Sequence, residues 1–141
     1  MNKRYIGLDL GSKTLGISIS ESGIIASNHS TYKFEEDNYQ LAVNYINDFI
    51  NDNKIDVVVL GLPRHMNNDL GIRGEISLQF KELLSKINDC EIILWDERLS
   101  TKSALDVLIK GSVRRDKQKK IKDELAATII LQNYLDSINK N

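Results

Sequence analysis

Apolar and polar side chains alternate through residues 4–10, with Ile6, Leu8 and Leu10 on one side and Tyr5, Gly7 and Asp9 on the other, the two-residue period of a β-strand. Gly11-Ser12-Lys13 turns the chain. Alternation resumes over residues 14–20 through Leu15, Ile17 and Ile19, which predicts a hairpin, and the Ser22-Gly23 turn lets residues 24–34 supply a third antiparallel strand. The period then changes. Tyr39, Ala42, Tyr45, Ile46, Phe49 and Ile50 recur at helical spacing and predict a helix over residues 38–53. Residues 56–62 are a nearly unbroken Val/Leu run, as a strand covered on both faces requires. Ile72, Ile76, Phe80, Leu83, Leu84 and Ile87 make a second helical stripe, and residues 91–95 a short buried strand. Residues 100–109 are helix-like, with Ser100 or Thr101 as caps. Residues 111–119 lack apolar periodicity apart from Val113 and are expected to form a mobile loop before a last helix over about 120–138.

The predicted order is β-β-β-α-β-α-β-α-α, an α/β fold. Three meandering strands followed by right-handed strand-helix crossovers give a mixed five-stranded sheet with helices on both faces. Its functional edge is expected at the carboxyl ends of the parallel strands. No repeat, low-complexity tract or linker divides the chain, so residues 1–141 are expected to form one domain.

Composition narrows the chemistry. With 41% hydrophobic and 28% charged side chains in 141 residues, the chain can bury a real core. Its apolar runs fall short of the roughly 20 residues of a membrane-spanning helix, and the start, Met1-Asn2-Lys3-Arg4, leads directly into a strand. A cytoplasmic protein without a membrane partner is expected. Cys90 is the lone cysteine and His29 and His65 the only histidines, so any metal must sit on oxygen ligands. The net charge of -1 hides an uneven distribution. Lys110, Arg114, Arg115, Lys117, Lys119, Lys120 and Lys122 face a single acid, Asp116, while the rest of the chain carries 12 basic and 19 acidic side chains. Such a segment suits a solvated loop and helix start, or a phosphate-binding surface.

Four acidic positions could carry chemistry. Asp9 interrupts an apolar strand pattern, where a carboxylate needs a cation or hydrogen bonds, although it also fits the turn at Gly11. Asp96 and Glu97 leave the strand at residues 91–95, and alternation puts Glu97 on the side of Ile93 and Trp95 and Asp96 on the other. Both would also be ordinary at a strand exit. Asp123 sits in the first turn of the last helix, which favours any carboxylate through the helix dipole. It also heads a stripe with Ala127, Ile130 and Tyr134, flanked by the small Ala126. Converging carboxylates require a compensating cation, and magnesium, or manganese, suits an all-oxygen site that must also reach a phosphate. The glycine-bearing turn Gly7-x-Asp9-x-Gly11-Ser12-Lys13-Thr14-x-Gly16 could offer backbone N–H groups and Lys13 to a phosphate, or be a plain hairpin turn. Related turns occur in sugar kinases and actin-like ATPases, which close on nucleotide with a second lobe.

Four segments in order, Gly7-Leu8-Asp9-Leu10-Gly11-Ser12-Lys13, Val59-Leu60-Gly61-Leu62-Pro63, Trp95-Asp96-Glu97-Arg98-Leu99-Ser100-Thr101 and Lys122-Asp123-Glu124-Leu125-Ala126-Ala127, together resemble the YqgF family. That family is described as Holliday junction resolvases and as nucleases that mature the 5′ end of pre-16S ribosomal RNA. The resemblance implies a ribonuclease H-like fold with Asp9, Glu97 and Asp123 as the catalytic, metal-binding acids. Lys13, Arg73, Arg98, Arg114, Arg115, Lys117, Lys119 and Lys120 are then the expected phosphate contacts, with Arg64 a weaker one. Thr14 stands where the family usually has arginine, Arg64-His65-Met66 replaces a Leu-Asn-Met-like stretch, and Gly74 follows Arg73 where alanine is common. These departures touch substrate contacts and not the acids. His65 equally suits a merely exposed loop position. The expected function is metal-dependent hydrolysis of nucleic-acid phosphodiesters, with precursor rRNA as substrate and branched DNA as the alternative. A non-cutting RNA or transcription-complex binding protein would keep the basic segment, and a phosphotransferase would have to bind ATP. A monomer is the default, with a dimer open.

Overall fold

A computed structural model describes residues 3–63, 71–97 and 115–139, the stretch 115–124 in backbone only. Five strands form one mixed sheet: β1 (Tyr5–Leu10), β2 (Thr14–Ser20), β3 (Ser27–Lys33), β4 (Val57–Leu62) and β5 (Glu91–Asp96), in spatial order β3-β2-β1-β4-β5. The first three are antiparallel neighbours, and β4 and β5 run parallel to β1. Three helices are described: α1 (Tyr39–Asn53), α2 (Gly71–Ser85) and α3 (Arg115–Ile138). The helix expected over residues 100–109 lies outside the described residues.

The alternation in β1 assigns the two faces. Ile6, Leu8 and Leu10 join Leu15, Ile17, Val58 and Leu60 in a core closed by Ala42, Val43, Ile46 and Phe49 of α1 and Phe80 and Leu84 of α2. Tyr5, Val57 and Val59 face the other way, against Ile130, Leu131 and Leu135 of α3. There the rings of Trp95 and Tyr134 meet edge-on at 5.8 Å. Desolvation pushes the Tyr134 hydroxyl above its ordinary range, with the nearby Tyr5 and Glu91 adding to it.

Close approach, not bulk, defines the contact between α3 and the sheet. Gly7 and Ser18 are register partners under the helix, and a Cβ on Gly7 would stand 2.7 Å from the Ala127 carbonyl oxygen. The buried Ser18 hydroxyl donates to that same oxygen at 2.7 Å. Ala127 O still has its own helical partner, so Ser18→Ala is expected to cost only ~1 kcal/mol. A urea midpoint unchanged by that substitution would count against the contact.

Three sequence expectations need correction. The last helix begins at Arg115, not near residue 120, so Arg115, Lys117 and Lys119 lie in a helix and not in a mobile loop. Arg, Lys and Gln are good helix formers without any apolar stripe. The third strand is shorter than residues 24–34. Ser20 and Ser22 hydroxyls accept from the N–H groups of Gly23, Ile24 and Ile25, shaping a turn that leaves Ile24 61% and Ile25 67% exposed. The second helical stripe overruns its helix, because α2 ends at Ser85 and leaves Ile87 beyond it and 50% exposed, while Ile72 in the first turn is 75% exposed.

Candidate active site

Alternation and register bring two of the expected acids to one edge of the α3 face. Asp9 follows Gly7 at the carboxyl end of β1 and pairs with Gly16 of β2. The parallel β1–β4 pairing runs to Leu8 beside Leu60, and its next step points Asp9 at Gly61. Gly61 in turn pairs with Trp95 of β5, and Glu97 lies beyond it. The Glu97 carboxyl carbon sits 3.2 Å from where a Gly61 Cβ would be, and Ile130 of α3 closes the same space at 2.6 Å. Glu97 therefore lies over the α3 face of β4. Asp96, beside Leu62, belongs to the opposite face by alternation. Asp9 and Glu97 are both half-buried and both engaged in interactions within the protein.

The third acid arrives on α3. The helix runs antiparallel to β1, with Ala127 and Leu131 at Gly7, Tyr134 near Tyr5, and Asn139 bonded to Gly23 O. Its amino-terminal turns thus lead towards the edge where β1 ends. Residue 123 is one turn before Ala127 on the same stripe, ~6 Å along the axis, while Asp9 is two residues beyond Gly7, ~7 Å along the strand. The backbone accordingly carries position 123 towards the end of β1 that bears Asp9. Among the residues with described side chains, no group of three metal-binding residues is complete; the Asp123 side chain is not among them.

The basic residues distribute unevenly. Lys13 is exposed in the β1–β2 turn. Arg115, Lys117, Lys119 and Lys120 lie in the first turns of α3, which lead towards the same edge. Arg98, Arg114, Arg64 and His65 lie outside the described residues. Arg73, in the first turn of α2, is half-buried and donates to Leu10 O at 3.0 Å and to the Tyr39 hydroxyl at 3.3 Å.

One residue escaped the sequence. Lys33 pairs directly with Thr14 and therefore shares its face, since Tyr32 beside it stacks on Tyr45 of α1 at 3.9 Å on the far side. Lys33 is exposed on the α3 face at the same edge as Asp9 and makes no ion pair among the described residues. Only the β2–β3 register reveals this, and no local motif encodes it. Cys90 precedes β5 at the opposite end of the sheet, where burial pushes its thiol up, so it offers this edge no nucleophile.

Comparison with known proteins agrees with this architecture. Residues 3–137 match the family described as RuvX: Holliday junction resolvase. A protein of Onion yellows phytoplasma (strain OY-M), provisionally named a pre-16S rRNA nuclease, is 48% identical over 97% of this chain and 91% of its own length. One of Staphylococcus saprophyticus with the same provisional name is 46% identical over 98% of this chain and 99% of its own. Among solved structures, Thermus thermophilus RuvC in complex with a Holliday junction substrate superposes with a TM-score of 0.63 at 11% identity, covering 99% of both chains. The fold is thus that of RuvC, the ribonuclease H-like fold.

Proposed function

Because the chain belongs to the RuvX family, and is accordingly a nuclease that hydrolyses phosphodiester bonds, we propose that Asp9, Glu97 and Asp123 hold its divalent metal and that precursor 16S rRNA is its substrate in the cytoplasm. The observation carrying the site is the Glu97 carboxyl group lying over Gly61, on the same sheet face and edge as Asp9. The donor set fits magnesium or manganese. It consists of hard carboxylate oxygens, half-buried at Asp9 and Glu97, whose mutual repulsion a cation relieves. A bound divalent ion supplies a water of lowered pKa and neutralises charge on the phosphate oxygens.

The protein's own groups do the rest. The Glu97 side chain occupies space that Gly61 leaves open, so a larger residue at position 61 would crowd its carboxylate. Lys13, Lys33, Arg98, Arg114, Arg115, Lys117, Lys119 and Lys120 hold substrate phosphates, drawing a polyanion over an acidic centre that would otherwise repel it. Lys33→Gln is expected to weaken substrate binding and to reduce the slope of log K against log[salt] by about 0.7–0.9, the share of one phosphate contact. An unchanged slope would remove Lys33 from the binding surface.

The substrate is tested by offering a precursor 16S rRNA fragment and a four-way DNA junction side by side, with magnesium, with manganese and with EDTA. Cleavage of the RNA at its 5′ side, abolished by EDTA and restored by either metal, is expected. The family description favours the junction as the second substrate, and cutting of the junction alone would replace the RNA assignment. Binding without cleavage of either would point to an escort role.

A further inference from the structure

Arg73 is a basic residue near the acidic edge, yet its guanidinium faces the protein. One nitrogen donates to Leu10 O at 3.0 Å and another to the Tyr39 hydroxyl at 3.3 Å. Tyr39 donates onward to the Asp37 carboxylate at 3.0 Å. The Asp37 backbone N–H then donates to Ser12 O at 2.8 Å. The chain of contacts leaves the β1–β2 turn at Leu10 and returns to it at Ser12. Two further bonds complete the clamp, Phe34 N–H to Lys13 O at 2.8 Å and Gly11 N–H to Thr14 O at 2.7 Å.

Asp37 takes the backbone conformation that this closure requires. Its φ of 61° lies in the left-handed region, which L residues other than Asn and Asp rarely occupy and which persists where surrounding contacts over-determine it. Here those contacts are the two bonds it makes at opposite ends of the residue, one from Tyr39 and one to Ser12. The turn so held has Asp9 immediately before it and the exposed Lys13 within it.

We propose that Arg73, Tyr39 and Asp37 form a strut that fixes the Leu10–Lys13 turn and thereby the placement of Asp9 and Lys13, making Arg73 a positioning residue and not a phosphate contact. The proposal rests on the nuclease site described above. It separates two roles that the sequence cannot. A phosphate contact acts through its charge on binding, whereas a strut acts through geometry on turnover, because misplacement of a reacting group by a fraction of an ångström costs rate more than affinity.

Arg73→Gln, Arg73→Lys and Tyr39→Phe test it together. Binding of the RNA fragment is measured in an Asp9→Asn background and cleavage in the active protein. The expected result for Arg73→Gln is a fall in kcat of about tenfold or more with KM within a factor of two and an unchanged salt slope. Tyr39→Phe should lower kcat in the same direction although it removes no charge, and the double variant should be no worse than Arg73→Gln alone. Arg73→Lys should recover part of kcat. Amide hydrogen exchange supplies a readout independent of activity, since the Gly11 N–H should exchange faster in both Arg73→Gln and Tyr39→Phe. A salt slope reduced by about 0.7–0.9 in Arg73→Gln, with Tyr39→Phe as active as the parent, would overturn the strut and restore the phosphate contact. Parent protein that cuts neither substrate would instead defeat the nuclease site, while the exchange data still decide whether the strut holds the turn.

Discussion

Asp9→Asn is expected to leave the fold and nucleic-acid binding intact and to lower the cleavage rate by on the order of 10²–10⁴-fold, the rate equivalent of the several kcal/mol that a metal-held carboxylate site contributes in the transition state. Asparagine has the size of aspartate and can keep one carbonyl oxygen in place, so the core beneath it is undisturbed. What it lacks is charge. In the proposed site the carboxylates would attract a divalent ion through their summed charge, and one neutral member would lower that attraction. The measurement is a single-turnover cleavage assay with a magnesium titration, beside a denaturation curve for each protein. Cleavage at the parent rate, with the same magnesium dependence, would remove Asp9 from the centre. Reduced binding with normal turnover would give it another role.

The second large effect is expected at Gly7. An added methyl group would lie 2.5 Å from Ser18 Oγ and 2.7 Å from both Ala127 O and Leu131 Cβ. A hydroxyl can rotate away; a helix carbonyl cannot. Gly7→Ala should therefore force α3 off the sheet and cost ~3 kcal/mol, a large part of a typical stability of about 5–15 kcal/mol. The double variant Gly7→Ala/Ser18→Ala removes the softest of the three collisions and should not recover the loss. Urea unfolding of the parent, the single and the double variant measures this. Full recovery in the double variant would show that Ser18 alone sets the spacing. The folded fraction of Gly7→Ala should also cleave poorly, because the helix that shifts is the one carrying position 123.

These expectations show which parts of the molecule were legible in the chain. Alternation in β1 and the unbroken Val/Leu run of β4 report burial on known faces, so the sheet and both of its covers could be read directly. Alternation also separated Glu97 from Asp96, because β5 keeps its period up to its last residue. What could not be read depends on partners distant in sequence. Lys33 joins the edge only through its register with Thr14. Arg73 looks like a free cation until Leu10 O and the Tyr39 hydroxyl are placed beside it. The start of α3 is hidden in the sequence for another reason. Apolar periodicity detects a helix only where it buries a stripe, and the turns from Arg115 onward follow intrinsic preference instead.

The seam of Gly7, Ser18, Gly61 and Ala127 gives the two sides of the sheet opposite tolerances. Under α1 and α2, large aliphatic and aromatic groups fill the space, and exchanges that conserve volume should be absorbed by repacking. Beneath α3 no spare volume exists at these positions, so the acceptable substitutions there run only towards smaller atoms. Efforts to raise the melting temperature should therefore work from the first side and leave the second untouched, since any gain in bulk there would be taken from turnover.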